Sequence, residues 1–135
     1  MTRAGRPVGP QGEREAVVGA PVAFFEVISP DSAGARRFYS ELFGWTMTGD
    51  PSWGDYVLID THGGEGAIGG GMGQADERSP AGVKVYVHVD DLAAFLARAE
   101  ELGGKTLVPP SDLPEGYGRI AVLAGPDGIQ VGLWS

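Results

Sequence analysis

Three ionisable side chains with different proton chemistry sit on apolar, strand-like segments of this chain: Glu26 within PVAFFEVIS, and Lys84 and His88 within AGVKVYVHV. A carboxylate in an apolar strand needs a partner if it is to stay ionised. Glu26 therefore reads as the ion-pair mate of Lys84 or as a general base. Histidine titrates closest to neutrality and can pass a proton on, so His88 reads as a proton shuttle or as a hydrogen-bonded structural residue. Lys84 has a binding reading and a structural one. Phe24 and Tyr86 share these two segments, and Gln130 and Trp134 lie on the last apolar stretch; the aromatics read as pocket wall rather than reactive groups. Trp53 and Tyr56 follow a Gly-Asp-Pro-Ser turn, while Tyr117 and Arg119 follow Pro114-Glu115-Gly116. Loop aromatics of this kind either close over a ligand or pack the loop ends. There is no G-x-S-x-G nucleophile turn. The glycine runs Gly63–Gly66 and Gly69–Gly71 precede neither Lys-Ser/Thr nor a helix, so they read as a turn and a bulged strand, not a phosphate loop.

The elements that carry these residues form a repeat. Residues 21–48 lie on residues 81–108 at an offset of 60 without a gap: Asp31 falls on Asp91, Leu42 on Leu102 and Gly44 on Gly104. In each half the pattern predicts strand, helix, then three strands. In the first, Val22–Ile28 is an apolar strand. Asp31 or Ser32 caps a helix running to about Phe43 with Ala35, Phe38, Leu42 and Phe43 at helical spacing, and Gly44 ends it. Trp45–Thr48, Tyr56–Asp60 and Ala67–Met72 complete that half. In the second, Val83, Val85, Val87 and Val89 alternate with Lys84, Tyr86 and His88. Asp90 caps a helix with the stripe Leu92, Phe95, Leu96, Ala99 and Leu102, closed by Gly103-Gly104. Lys105–Val108, Arg119–Ala124 and Ile129–Trp134 are the remaining strands, with Pro126-Asp127-Gly128 as a turn.

At 135 residues this reads as one domain with a core of its own. Residues 1–20 read as a flexible leader and 21–135 as the domain: module one 21–72, linker 73–82, module two 83–135. The 23 glycines fit several short strands. Zero cysteines exclude a disulfide framework and any thiolate site, and agree with a reducing cytoplasm. A net charge of −8 argues against a nucleic-acid or anionic-membrane partner, which would need a basic face. It leaves a neutral or cationic small molecule as the expected partner.

The segments ARRFYSELFGW (Ala35–Trp45), VYVHVDDLAAFLARAEELGGKTLVPP (Val85–Pro110) and GRIAVLAGPDGIQVGLW (Gly118–Trp134) resemble the vicinal-oxygen-chelate superfamily, the glyoxalase/bleomycin-resistance/extradiol-dioxygenase group. The resemblance covers residues 21–135. It implies an α+β fold of two tandem βαβββ modules forming curled sheets around a cavity, with helices outside. It also places Phe24, Glu26 and Ile28, Lys84, Tyr86 and His88, and Gln130, Gly132 and Trp134 on the cavity face. Metal-dependent members are similar in taking four His or Glu ligands, two per module, from the first and last strands. Here those positions correspond to Phe24, Lys84, Gly70 (or Gly69) and Gly132, which offer no usable lone pair. A two-histidine, one-carboxylate site would need both His62, in a predicted hairpin turn, and His88, mid-strand.

The expectation is therefore no metal and no cofactor, with glyoxalase I and extradiol dioxygenase chemistry disfavoured. The two glycines are expected to leave room for a ligand. Two classes stand. One is a metal-free, aromatic-lined binding protein acting by sequestration, which the resemblance associates with homodimers. The other is a lyase or isomerase using Glu26, His88 or Lys84 for proton transfer.

Overall fold

The computed structural model describes residues 19–135; the leader expected over 1–20 lies, up to residue 18, outside the described residues. Strand β1 (Val22–Ser29) leads into helix α1 (Ser32–Phe43), followed by β2 (Thr46–Gly49), β3 (Val57–Asp60) and β4 (Gly69–Gln74). The second half repeats the order with β5 (Gly82–His88), α2 (Leu92–Glu101), β6 (Lys105–Asp112), β7 (Arg119–Ala124) and β8 (Gln130–Trp134). Strands β4 and β5 run into the stretch read as a linker, leaving 75–81 between them. No helix among the described residues is long and apolar enough to cross a membrane.

Local chemistry sets the helix ends. The Asp31 carboxylate accepts from the Gly34 N–H at 3.0 Å and starts α1, and Gly44 ends it in the left-handed region at φ 73°. The cap of α2 is Asp91, accepting from the Ala94 N–H at 3.1 Å, rather than Asp90. A cap must reach an N–H three residues on, and Asp91 is the repeat mate of Asp31.

All eight strands join one curled sheet in the order β2-β3-β4-β1-β5-β8-β7-β6. The halves meet where β1 pairs antiparallel with β5, in the register Phe24↔Tyr86, Phe25↔Val85 and Glu26↔Lys84. Phe25 thus faces its own repeat mate, so a pseudo-twofold axis passes through the Phe25/Val85 pair. Strand β4 pairs with both β1 and β3 in unbroken register, so its glycine run is a regular strand and not a bulge.

Each half keeps its own core on the helix side of the sheet. Val57, Ile59 and Met72 gather Phe25, Val27, Ala35, Tyr39, Trp45 and Met47; Val89, Leu92, Leu96, Ala121 and Leu133 gather Val87 and Leu123. The packed face of α1 is Ala35 and Tyr39, while Phe38, Leu42 and Phe43 are exposed, contrary to the stripe read from spacing. Phe95 and Leu102 of α2 are also exposed, and so is Val83. α2 lies over β6 and β7, leaving the start of β5 uncovered.

Met72 is fully buried, so truncating it leaves a cavity. Met72→Ala should cost about 3 kcal/mol in denaturant unfolding, whereas the exposed Val83→Ala should stay within about 0.5 kcal/mol of the parent.

Candidate functional site

Strand alternation separates the two faces of the sheet. Phe25 and Val27 go to the core, and Phe24, Glu26 and Ile28 go to the concave face. Tyr56 and Leu58 face the same way while Val57 and Ile59 do not.

Glu26 is the centre of the concave face. Its Oε2 accepts from the Tyr56 hydroxyl at 2.7 Å and its Oε1 from the Tyr86 hydroxyl at 3.1 Å. The Lys84 ammonium stands 3.7 Å from Oε1 and 5.9 Å from the centre of the Tyr86 ring. The side chains of Lys84 and Glu26 are only 15% and 12% exposed, which is why a buried carboxylate gathers three partners. Burial pushes both phenols well above their ordinary range, and the negative charge of Glu26 and its hydrogen bonds push the same way. Both rings therefore remain neutral donors to the carboxylate.

The glycines of β4 and β8 are seats for aromatic rings. A Cβ on Gly71 would fall on the Tyr56 hydroxyl, one on Gly73 would come within 3.0 Å of the same ring, and one on Gly132 would fall on the Tyr86 ring. Gly70 faces the other side, under Phe25. This corrects two expectations. The β4 mate of Gly132 is Gly71, because Gly71 pairs with Glu26 as Gly132 pairs with Tyr86, the repeat mate of Glu26. The room left by the glycines is also taken by the protein's own tyrosines, not kept open for a ligand. The four positions Phe24, Lys84, Gly71 and Gly132 do not fit a divalent ion. Among the described residues no group of three or more His, Cys, Asp or Glu is gathered closely enough to hold one.

Two cavities open on this face and share Glu26, Trp53, Tyr56, Tyr86 and Ile120 as their common wall. The polar lobe, about 890 Å³, adds Lys84, Gln130, Gln74, Asp55 and Arg78. The apolar lobe, about 530 Å³, adds Phe24, Leu58, Leu113, Tyr117 and Trp134. Trp53 and Tyr117, from the equivalent loops of the two halves, meet edge to face at 6.1 Å across the concave side. The Trp53 indole N–H is buried and meets no acceptor among the described residues.

The structure thus brings Glu26, Lys84, Tyr86, Phe24, Gln130, Trp134, Trp53, Tyr56 and Tyr117 to one concave face. Two expected site residues lie elsewhere. His88 is at the exposed end of β5, edge to face with Trp134 at 5.5 Å, and lines neither lobe. Arg119 turns away from the cavities, its guanidinium held by Asp112 at 2.9 Å across the β6–β7 rung. His62 also lies outside, 2.6 Å from the Thr46 hydroxyl. Leu58, Leu113 and Ile120 were not anticipated as wall residues. The alternation of Ile120 and Val122 with Ala121 and Leu123 on β7 is the signal that finds Ile120.

Residues 24–133 match the family model described as a glyoxalase-like domain. The chain belongs to this family. As a glyoxalase-like domain it is 36% identical over 130 residues to the anthracycline biosynthesis protein DnrV of Streptomyces peucetius, covering 86% of this chain and 46% of DnrV. It is 32% identical over 108 residues to the putative glyoxylase CFP32 of Mycobacterium tuberculosis, covering 77% of this chain and 41% of CFP32. The chain therefore spans less than half the length of these curated relatives. Among solved structures, the Mn(II)-bound glyoxalase from Novosphingobium aromaticivorans superposes with a TM-score of 0.61 at 19% identity, over 86% of this chain and 38% of that one. A glyoxalase/bleomycin resistance protein/dioxygenase superfamily member from Vibrio splendidus gives 0.60 at 14% identity, over 85% and 97%. These two likenesses concern the fold.

Two predictions test the glyoxalase-like domain's central network. Gly132→Ala pushes into the Tyr86 ring close to its backbone and should destabilise the fold by about 1–3 kcal/mol, read from the denaturation midpoint. The raised phenols also make stability depend on alkaline pH. The unfolded chain gives up these protons near pH ~10 while the folded one holds them, so their contribution is full below pH ~10 and is lost as pH rises above it. Tyr56→Phe should lower stability at neutral pH by about 1–3 kcal/mol and make the alkaline fall shallower. An unchanged alkaline slope in denaturation series would contradict this assignment.

Proposed function

We propose that this glyoxalase-like domain is a cytoplasmic small-molecule-binding protein that holds a flat, largely apolar organic molecule on its concave face without a metal and acts by sequestration, as a homodimer. The observation that carries the reading is the apolar lobe of about 530 Å³, walled by Phe24, Leu58, Tyr117 and Trp134 and sharing Glu26, Tyr56 and Tyr86 with the polar lobe. That volume lies in the range of small-molecule sites, which are mostly apolar with a few placed polar groups. The likeness to a protein of anthracycline biosynthesis supports a polycyclic aromatic molecule as the ligand class.

The competing reading is proton transfer by Glu26, His88 or Lys84 in a lyase or isomerase. The geometry favours binding. His88 lines neither lobe, and both Glu26 oxygens already accept a hydrogen bond from a phenol, so the carboxylate serves first as the anchor of Tyr56 and Tyr86. A shuttle must stand within hydrogen-bond reach of the proton it moves.

Calorimetric titration of the full chain with anthraquinone should show saturable binding. Trp134→Ala should weaken it by about tenfold or more, and His88→Ala should leave it within about twofold. The ligand should be recovered unchanged after long incubation. Conversion of a ligand, abolished by Glu26→Gln while binding persists, would establish the enzyme reading instead.

A further inference from the structure

The two charges at the centre of the concave face differ in how much of their hydrogen-bonding capacity is used. Glu26 accepts one phenol hydrogen on each oxygen. Lys84 is nearly as buried, yet its closest carboxylate oxygen, at 3.7 Å, lies beyond hydrogen-bond length. An ammonium carries three donors and no acceptor, and Lys84, whose stem is largely buried but whose Nζ is not sealed off, turns those donors toward the polar lobe. Among the described residues Lys84 has the Glu26 carboxylate and the Tyr86 ring as neighbours of its charge, and it faces the polar lobe. Gln130 lines the same lobe. Tyr86 pairs with Gly132 across β5 and β8, and Lys84 and Gln130 each lie two residues earlier, so they continue the same inward-facing row. The other charged wall residues of the lobe, Asp55 and Arg78, are exposed and of opposite sign. The donors that Lys84 presents to the polar lobe therefore suit an acceptor.

We propose that the ligand carries an anionic or ionisable oxygen, such as a carboxylate, phenolate or enolate, which takes the open coordination of Lys84 in the polar lobe that Gln130 also lines, while its ring system lies in the apolar lobe. This rests on the reading of the concave face as the ligand site, and it refines the neutral or cationic partner suggested by net charge alone. The two lobes share Glu26, Tyr56 and Tyr86 in their walls, and a molecule with a planar body and a polar edge is the class that would reach from one to the other. The net charge of the whole chain acts on the approach of a ligand from a distance; the group at the end of the path is read by the wall.

Three probes that share one ring system separate the possibilities: anthraquinone carboxylate, its carboxamide and its aminomethyl analogue, titrated into the full chain by calorimetry at low and moderate salt. The carboxylate should bind at least about tenfold more tightly than either of the others. The ratio of carboxylate to carboxamide affinity should fall to about one in Lys84→Met. Gln130→Leu, which leaves the Glu26–Lys84 pair in place, should reduce the ratio in part, and it decides the question if Lys84→Met does not fold. Equal affinities for the three probes, or tightest binding of the aminomethyl compound, would overturn this inference and leave the binding reading standing. Absence of binding by all three would remove the binding reading and this inference with it.

Discussion

Burying the Glu26 carboxylate on the concave face is the constraint on which the rest of the site turns. An ionised carboxylate with little access to water is tolerated only with charge and hydrogen-bond partners in place. Those partners come from both halves of the chain: Tyr56 ahead of β3, and Lys84 and Tyr86 on β5. The β1–β5 pairing that joins the two half-sheets is therefore also what completes the site. A shift of that register by one residue would turn Glu26 or Lys84 into the helix-side core. Correct docking of the halves and satisfaction of the buried charge are one condition.

The same pairing explains why a repeated backbone encloses an unsymmetrical cavity. Phe24 and Lys84 are repeat mates, and so are Glu26 and Tyr86, but the antiparallel register crosses them into the pairs Phe24↔Tyr86 and Glu26↔Lys84. One rung is aromatic and the other charged. The apolar lobe takes in Phe24, the polar lobe takes in Lys84, and Tyr86 and Glu26 belong to the wall they share. Two half-sites that the pseudo-twofold axis would make identical have become a two-part surface, and the central difference is at these two repeat positions.

Much of this was legible in the sequence. The period-two alternation of Val83–Val89 and the offset of 60 gave the strands and which residues share a face, because those depend on local periodicity; the inward facing came with the family resemblance, and the pairing of Glu26 with Lys84 was one of two readings of a carboxylate in an apolar strand. The family resemblance supplied how the halves close, which periodicity alone does not. Helix faces were legible in part: Ala35, Leu92 and Leu96 pack as their spacing predicts, whereas Phe38, Leu42 and Phe43 share that spacing and are exposed, with Tyr39 packed instead. Hydrophobic spacing marks a stripe without saying which edge of it is covered. The role of the β4 glycines was hidden because Tyr56, which rests on Gly71 and Gly73, is brought there by the β3–β4 pairing. His88 and Arg119 went astray at strand ends, where an inward-facing position runs past the cavity or is captured by a neighbouring charge such as Asp112.

The electrostatics that result are unlike those of a metal-centred site. A bound divalent ion is the largest local charge and attracts oxygen ligands from all sides. Here the centre is a carboxylate screened by two neutral phenols and one ammonium, with local charges that nearly cancel. A ligand oxygen approaching from the apolar lobe meets Tyr86 and the Glu26 charge behind it. Approaching from the polar lobe, it meets Lys84 first. The two approaches to the centre thus differ in the charge they present, even though the backbone around it is nearly twofold symmetric. Stabilising a developing oxyanion would rest on Lys84 alone, and its charge is already shared with Glu26.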